Sequence, residues 1–140
     1  MPATGRKPNE GTPVRHRVKP VHEWQEVDRI AFVDGPKLPK QTPDGKSWPA
    51  RTKEWWAVIA AMPHCVLWEA GDWQFALDTA AVAAAFHGGD LRQADTLMKR
   101  EKVLGTTLDF RRDLRIRYVE PSEDTPVGIT AIDKYRKALS

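Results

Sequence analysis

"KEWWAVIAAMPHCVLWEAGDW", residues Lys53–Trp73, holds four of the six tryptophans and the only cysteine, Cys65, which follows His64. Its reading separates three architectures: a reactive centre, a base-stacking surface, or a packed corner. At 3.6 residues per turn, Trp55, Trp56, Ile59, Ala60 and Met62 form one broad apolar helical face. Pro63 stops that helix, because the residue before a proline is pushed out of the α region. "HCVLWEAG" then reads as an extended connector, with Asp72 (or Gly71–Asp72) placed to cap the next helix. Trp68 and Trp73 fall where they can fold back on the first helix. Each large aromatic buries about 150–250 Å², so four indoles can lock a helix–connector–helix corner without a disulfide.

The chemical readings of the same stretch are weaker. A cysteine nucleophile needs a thiolate, a base and an orienting group. Adjacent side chains on an extended connector point to opposite faces, so His64 and Cys65 do not form such a set. A cysteine followed by Val66, Leu67 and Trp68 reads as a small buried hydrophobe. His16, His22, His64 and His87 are scattered, without an i,i+4 pair, and four-ligand zinc spacing is missing, so no metal is expected. "HGGD" (His87–Asp90) lacks the lysine and spacing of a phosphate loop, so no nucleotide cofactor is expected either. The acidic residues are spread singly, unlike a magnesium-dependent nuclease site. A stacking platform would weave cations among its aromatics, and no Lys or Arg lies between Trp55 and Trp73. Packing is the stronger reading, and the chain is expected to be non-catalytic.

Outward from this corner the chain divides in three. Residues 1–47 carry seven of the eleven prolines and no apolar period, which predicts a basic, Pro-rich arm and linker, extended or disordered. Within it, "HEWQEVDRI" offers Trp24, Val27 and Ile30 to dock on the body or on a neighbouring subunit. Residues 48–120 read as the helical core, the part that would also carry oligomerisation in the family resembled below. Its alanine-rich helix "WQFALDTAAVAAAFH" ends at Gly88–Gly89, and its small side chains predict burial between other helices. Asp90 caps a third helix, "LRQADTLMKREKVL", with Leu91, Ala94, Leu97, Met98 and Leu104 turned inward. After Gly105, Thr106 or Thr107 caps a short fourth, "LDFRRDLR", and "IRYVEP" runs out extended. Residues 121–140 are a tail whose "ITAIDKYRKAL" suits a docking peptide. The expected fold is all-α: three to four helices around a central hairpin, with an arm and a tail.

Charge is unevenly placed. Residues 1–20 carry Arg6, Lys7, Arg15, Arg17 and Lys19 against Glu10 alone, whereas residues 48–120 balance ten basic with ten acidic side chains. A basic arm on a neutral body points to a polyanion such as DNA, or to a solubilising tail. A second cluster, "FRRDLRIRY", sets Arg111, Arg112, Arg115 and Arg117 within seven residues, with Arg111 and Arg115 as i,i+4 neighbours on a helix. Its alternative is i,i+4 pairing with Asp109 and Asp113 on a solvated face. No run of about 18 apolar residues predicts a membrane span. The first residues lack the apolar stretch of a secretory signal, and one cysteine fits a reducing, cytosolic setting.

Taken in order, "RHR" at residues 15–17, "LP" at Leu38–Pro39, Trp48 before "TKEWWAVIAAMP", Trp68 with Asp72–Trp73, the alanine-rich helix and "EKVLGTTLDFRRDLRIRY" resemble the small terminase subunits of tailed bacteriophages. The branch they resemble is common in phages of actinobacteria. Leu104–Gly105, Thr106 or Thr107, Arg111, Arg112, Leu114 and Arg115 stand where that family carries a leucine–glycine, a threonine-capped turn and an Arg/Leu-rich segment. Leu108 departs from it, since a proline commonly follows the threonine. The resemblance spans about residues 12–119.

The resemblance implies a subunit that recognises the packaging-start site on double-stranded viral DNA, assembles into a homo-oligomeric ring and regulates the large ATPase/nuclease subunit. It would work in the cytoplasm of the infected host without catalytic residues of its own. Arg15, Arg17 and Lys19 would then hold phosphates, with Arg6 and Lys7 assisting and Arg111, Arg112, Arg115 and Arg117 as a second set. The competing readings are a connector or adaptor of the phage head, and a small helix-turn-helix regulator. The latter would use the Gly88–Gly89 turn and a reading helix bearing Arg92, Gln93 and Asp95.

Overall fold

Proline carbonyls accept hydrogen bonds as well as any others, although the residue lacks a donor, and this governs how the N-terminal half is held. A computed structural model describes residues 23–122 of the chain. In it, strand β1 (Gln25–Asp28) is followed by irregular chain that crosses the helical body on its way to α1 (Ala50–Ala60). Two indoles of the body reach up to it: Trp56 donates Nε1–H to the Pro36 carbonyl at 3.0 Å. Trp48 donates likewise to that of Pro39 at 2.7 Å. Gly35 lies so close to the Trp73 ring and the Ala60 backbone that a Cβ there would stand 3.0 Å from the indole. The proline-rich stretch from 23 to 47 is extended, as its composition predicts, but packed on the body.

Helix α1 ends before Pro63, as expected. Residues Pro63–Leu67 then wind into a 3-10 turn, where an extended connector was expected. The turn buries both His64 and Cys65. Helix α2 spans Ala70–His87 and starts earlier than the expected cap at Asp72 implies. Glu69 is the N-cap, and Asp72, three residues in, accepts from the Glu69 amide at 2.8 Å in a reciprocal capping box. The helix stops at Gly88, and Gly89 adopts φ +109, open to glycine at little cost. Ala76, Ala80, Ala83 and Ala84 are buried, so α2 lies between α1 and α3 (Ala94–Leu104), as its small side chains predict.

Helix α3 departs from expectation in its first turn and its face. Asp90 caps a separate 3-10 turn, Leu91–Gln93, before α3 begins. Only Leu97 and Leu104 of the five residues expected to face inward are buried; Leu91, Ala94 and Met98 are exposed. The buried face is instead completed by polar groups. Arg100 lies 4.1 Å over the Phe75 ring and donates Nε–H to Thr79 Oγ1 at 2.9 Å. Glu101 accepts from Trp55 Nε1 at 2.9 Å.

The tryptophan corner is the centre of the core. Trp55, Trp56, Ile59, Met62 and Cys65 are buried with the alanines of α2. Trp73 meets Trp56 and Trp68 edge-on, at centroid separations of 6.2 and 4.8 Å. At about 25 cal/mol per Å², each such indole outweighs any exposed ion pair by several-fold. A short helix α4 (Leu108–Asp113) and strand β2 (Ile116–Val119) close the chain. β2 pairs in parallel with β1, Gln25 opposite Ile116 and Asp28 opposite Val119. The fold is mainly helical, with four α-helices and one two-stranded parallel sheet among the described residues. No helix there is long and apolar enough to cross a membrane.

Candidate nucleic-acid interface

The arginine cluster is arranged by two backbone events. Thr107, not Thr106, caps α4: its hydroxyl accepts from the Phe110 amide at 3.2 Å, so Leu108 starts the helix without help from a proline. Six residues later the helix ends, and Arg115 takes φ +58. A non-glycine residue in the left-handed region carries a cost of about 1–2 kcal/mol. Here that turn sends Ile116–Val119 back alongside β1. The expected placement of Arg111 and Arg115 as i,i+4 neighbours on one helix is therefore not what forms; α4 is over by Asp113, and the two arginines reach different aromatics.

Arg111, half-buried, lies 4.7 Å over the Tyr118 ring and donates to the Gly105 carbonyl at 3.2 Å. Arg115 and Arg117 both lie over Trp24, at 5.4 and 5.5 Å. Arg117 holds Glu26 across the strand pair, with Nε at 3.1 Å from Oε1. Arg112 pairs with Asp109 at 3.8 Å and Arg29 with Glu120 at 3.4 Å. Of the acids expected to neutralise the cluster, Asp109 pairs with Arg112, and Asp113 makes no ion pair among the described residues. Among the described residues neither Arg111 nor Arg115 has a carboxylate partner within 4.0 Å.

Four of these arginines border an open cleft of about 670 Å³. Arg29, Arg111, Arg112 and Arg117 line it with Trp24 and Tyr118, over an apolar floor that includes Ile116. Among the described residues no acidic side chain lines it. The sequence readily shows Arg111, Arg112, Arg115 and Arg117. Trp24, Arg29 and Tyr118 were not among the expected contacts, because the strand register that joins residues 24–29 to residues 115–120 leaves no local signal. The alternation in "RIRYV" was the available hint.

Behind the cleft stands His64, almost fully buried. Its Nε2 lies 2.7 Å from the Leu104 carbonyl and its Nδ1 2.6 Å from the Tyr118 hydroxyl. A carbonyl only accepts, so Nε2 carries the proton and Tyr118 donates to Nδ1. Burial, aided by the nearby Arg111 charge, holds His64 below the usual histidine range, so the neutral ring is favoured. Burial likewise pushes the Cys65 thiol up to about 12, and its Sγ donates to the Ile59 carbonyl at 3.1 Å. A neutral thiol facing a carbonyl is a poor nucleophile. Among the described residues no group of three or more His, Cys, Asp or Glu is placed to hold a metal ion.

The arm residues Arg6, Lys7, Arg15, Arg17 and Lys19 lie outside the described residues, as does the "ITAIDKYRKAL" segment of the tail. The described residues, 23–122, carry fourteen basic against fifteen acidic side chains, so the chain's positive excess resides in its first twenty residues. At the turn considered for a reading helix, Arg92 folds back onto Asp90, Nε to Oδ1 at 2.9 Å.

No curated protein and no solved structure matches the chain. A family model described as phage terminase small subunit matches residues 3–140, nearly its whole length, and the chain belongs to that family.

Proposed function

We propose that the chain is the DNA-recognition and regulatory subunit of a viral genome-packaging motor. In this reading it binds the packaging-start site on duplex DNA in the cytoplasm of the infected host, and acts as a homo-oligomeric ring. It modulates a large subunit that holds the ATPase and nuclease, and performs no chemistry itself. Arg15, Arg17 and Lys19 hold phosphates, with Arg6 and Lys7 in looser contact. Arg111, Arg112, Arg115 and Arg117 form the second contact.

The observation that carries the reading is where the chain enters the body. The arm joins the described chain at Glu23, one residue before the tryptophan under Arg115 and Arg117. Five arm cations therefore precede, in the chain, an edge of the described body where arginines gather. Repeated around a ring, such an edge multiplies a weak phosphate contact through effective concentration.

The test is duplex binding across a salt series, comparing the full chain with one lacking residues 1–20. Each phosphate contact contributes about 0.9 to the slope of log K against log salt. The full chain is expected to bind at low salt, and the truncated one to bind more weakly with a slope shallower by several units. An unchanged slope removes the arm from the interface. Failure of the full chain to bind duplex at low salt, together with a strictly monomeric mass, overturns the reading.

A further inference from the structure

We propose that the cleft between α4 and the β1–β2 pair takes one unstacked nucleotide, its base on Trp24 and its phosphate on Arg111 and Arg117. It thereby favours single-stranded or frayed DNA over intact duplex. The proposal rests on the DNA-binding reading above and deepens it.

Duplex phosphates lie on the outside of a cylinder and need only a convex basic surface to meet them. A concave site of about 670 Å³ is the size of a small-molecule pocket, and its lining suits something flat and apolar as well as charged. The demand that a stacking platform weave cations among its aromatics is unmet between Trp55 and Trp73, and it is met here. Trp24 carries Arg115 and Arg117, and Tyr118 carries Arg111.

Access differs as well. Trp24 is 37% exposed, against 6–7% for Trp48, Trp55 and Trp56. The carboxylates of Glu26, Asp109 and Glu120 hold three of the lining arginines by exposed pairs but do not line the cleft themselves. A guanidinium has five N–H donors, so such a pair leaves donors for a phosphate. Arg111 has no carboxylate to exchange. A base on the exposed side of Trp24 would complete an alternation of guanidinium and ring in which both partners favour stacking.

The experiment measures binding of a labelled oligo-dT and of a duplex of equal length to the full chain, to Trp24→Ala and to Trp24→Phe. Thermal melts of the variants verify folding. Trp24→Ala should weaken oligo-dT binding about tenfold, on the scale of one base–aromatic stack, and weaken duplex binding, which the arm also holds, several-fold less. Trp24→Phe should retain most of the oligo-dT affinity, and thymidine monophosphate should compete for it better than an acidic peptide of equal charge. The proposal falls if Trp24→Ala weakens both nucleic acids alike or neither. It also falls if the phenylalanine variant behaves like the alanine one, or if the peptide competes equally well. Duplex binding that depends on residues 1–20 would survive those outcomes, so the inference can fail while the broader function stands; loss of all DNA binding by the full chain sinks both.

Discussion

Trp56 and Trp24 are the same side chain put to opposite uses. Trp56 is sealed in the corner between α1 and α2, edge-on to Trp73, with its one polar atom committed to the Pro36 carbonyl. Among the described residues no cation lies over its ring. Trp24 sits immediately before a four-residue strand, more than a third exposed, with two guanidinium groups over its ring. What distinguishes them is the charge of the neighbours. An indole surrounded by alanine and tryptophan adds stability and offers a ligand nothing. One surrounded by arginine adds little stability and presents a face that another π-system can share.

If that contrast is sound, the two regions should respond to substitution on separate axes. Trp56→Ala should cost about 3–5 kcal/mol, seen as a large drop in the thermal midpoint, with DNA binding lost only as the fold is lost. A variant that stays folded yet fails to bind would erase the distinction. Gly105→Ala comes next. Gly105 has φ +73, and a Cβ there would meet His64 Nε2 at 3.1 Å. A loss of about 2 kcal/mol is expected from the left-handed backbone and the crowded imidazole; a near-neutral result would show that the His64 shell can yield.

Acidification probes the same shell. His64 is held below its ordinary 6.5 in the folded chain, chiefly by burial. In the unfolded chain it takes up a proton at about 6.5. The unfolded state therefore binds more protons below that pH, and stability must fall as pH drops through 6.5 toward the depressed folded value. His64→Gln should flatten this part of the stability–pH curve. Some slope remains from His87, whose pKa is also lowered, chiefly by burial. A curve that keeps its full slope in the variant would assign the effect elsewhere.

The smallest stability effects belong to the arginine edge. Arg112→Ala removes an exposed pair with Asp109, worth at most about 1 kcal/mol, and should lower the salt slope of DNA binding by about 1. Arg115→Gly sharpens the comparison furthest. It relieves a left-handed backbone worth about 1–2 kcal/mol but gives up a guanidinium–indole contact and adds chain entropy, each about 0.5–1 kcal/mol. The thermal midpoint should barely move while binding weakens; a large destabilisation would mean that the edge is structural after all.

Much of the corner was legible because its signals are local. Pro63 ends a helix, the glycines after His87 end another, and four tryptophans within nineteen residues have few ways to be buried. Where the structure departs from expectation, a short-range alternative prevails. Glu69 with Asp72 made a better cap than Asp72 alone, and Arg100 with Glu101 took over the face expected from Leu91, Ala94 and Met98. The arginine edge was half legible. Four arginines within seven residues announce themselves, but Trp24 reaches them through a strand pairing some ninety residues apart in the chain, and four-residue strands carry too little periodicity to declare a partner.

That pairing also fixes how the molecule would bear load. Because β1 and β2 run parallel, the chain enters at one end of the pair through Glu23 and leaves at the other through Glu120. Tension applied between the two termini pulls the strands past each other along their length. Hydrogen bonds loaded in this direction share the force and must break together, whereas an antiparallel hairpin pulled from its open end unzips one bond at a time. A four-residue ladder that contributes modestly to folding stability can thus act as a mechanical clamp.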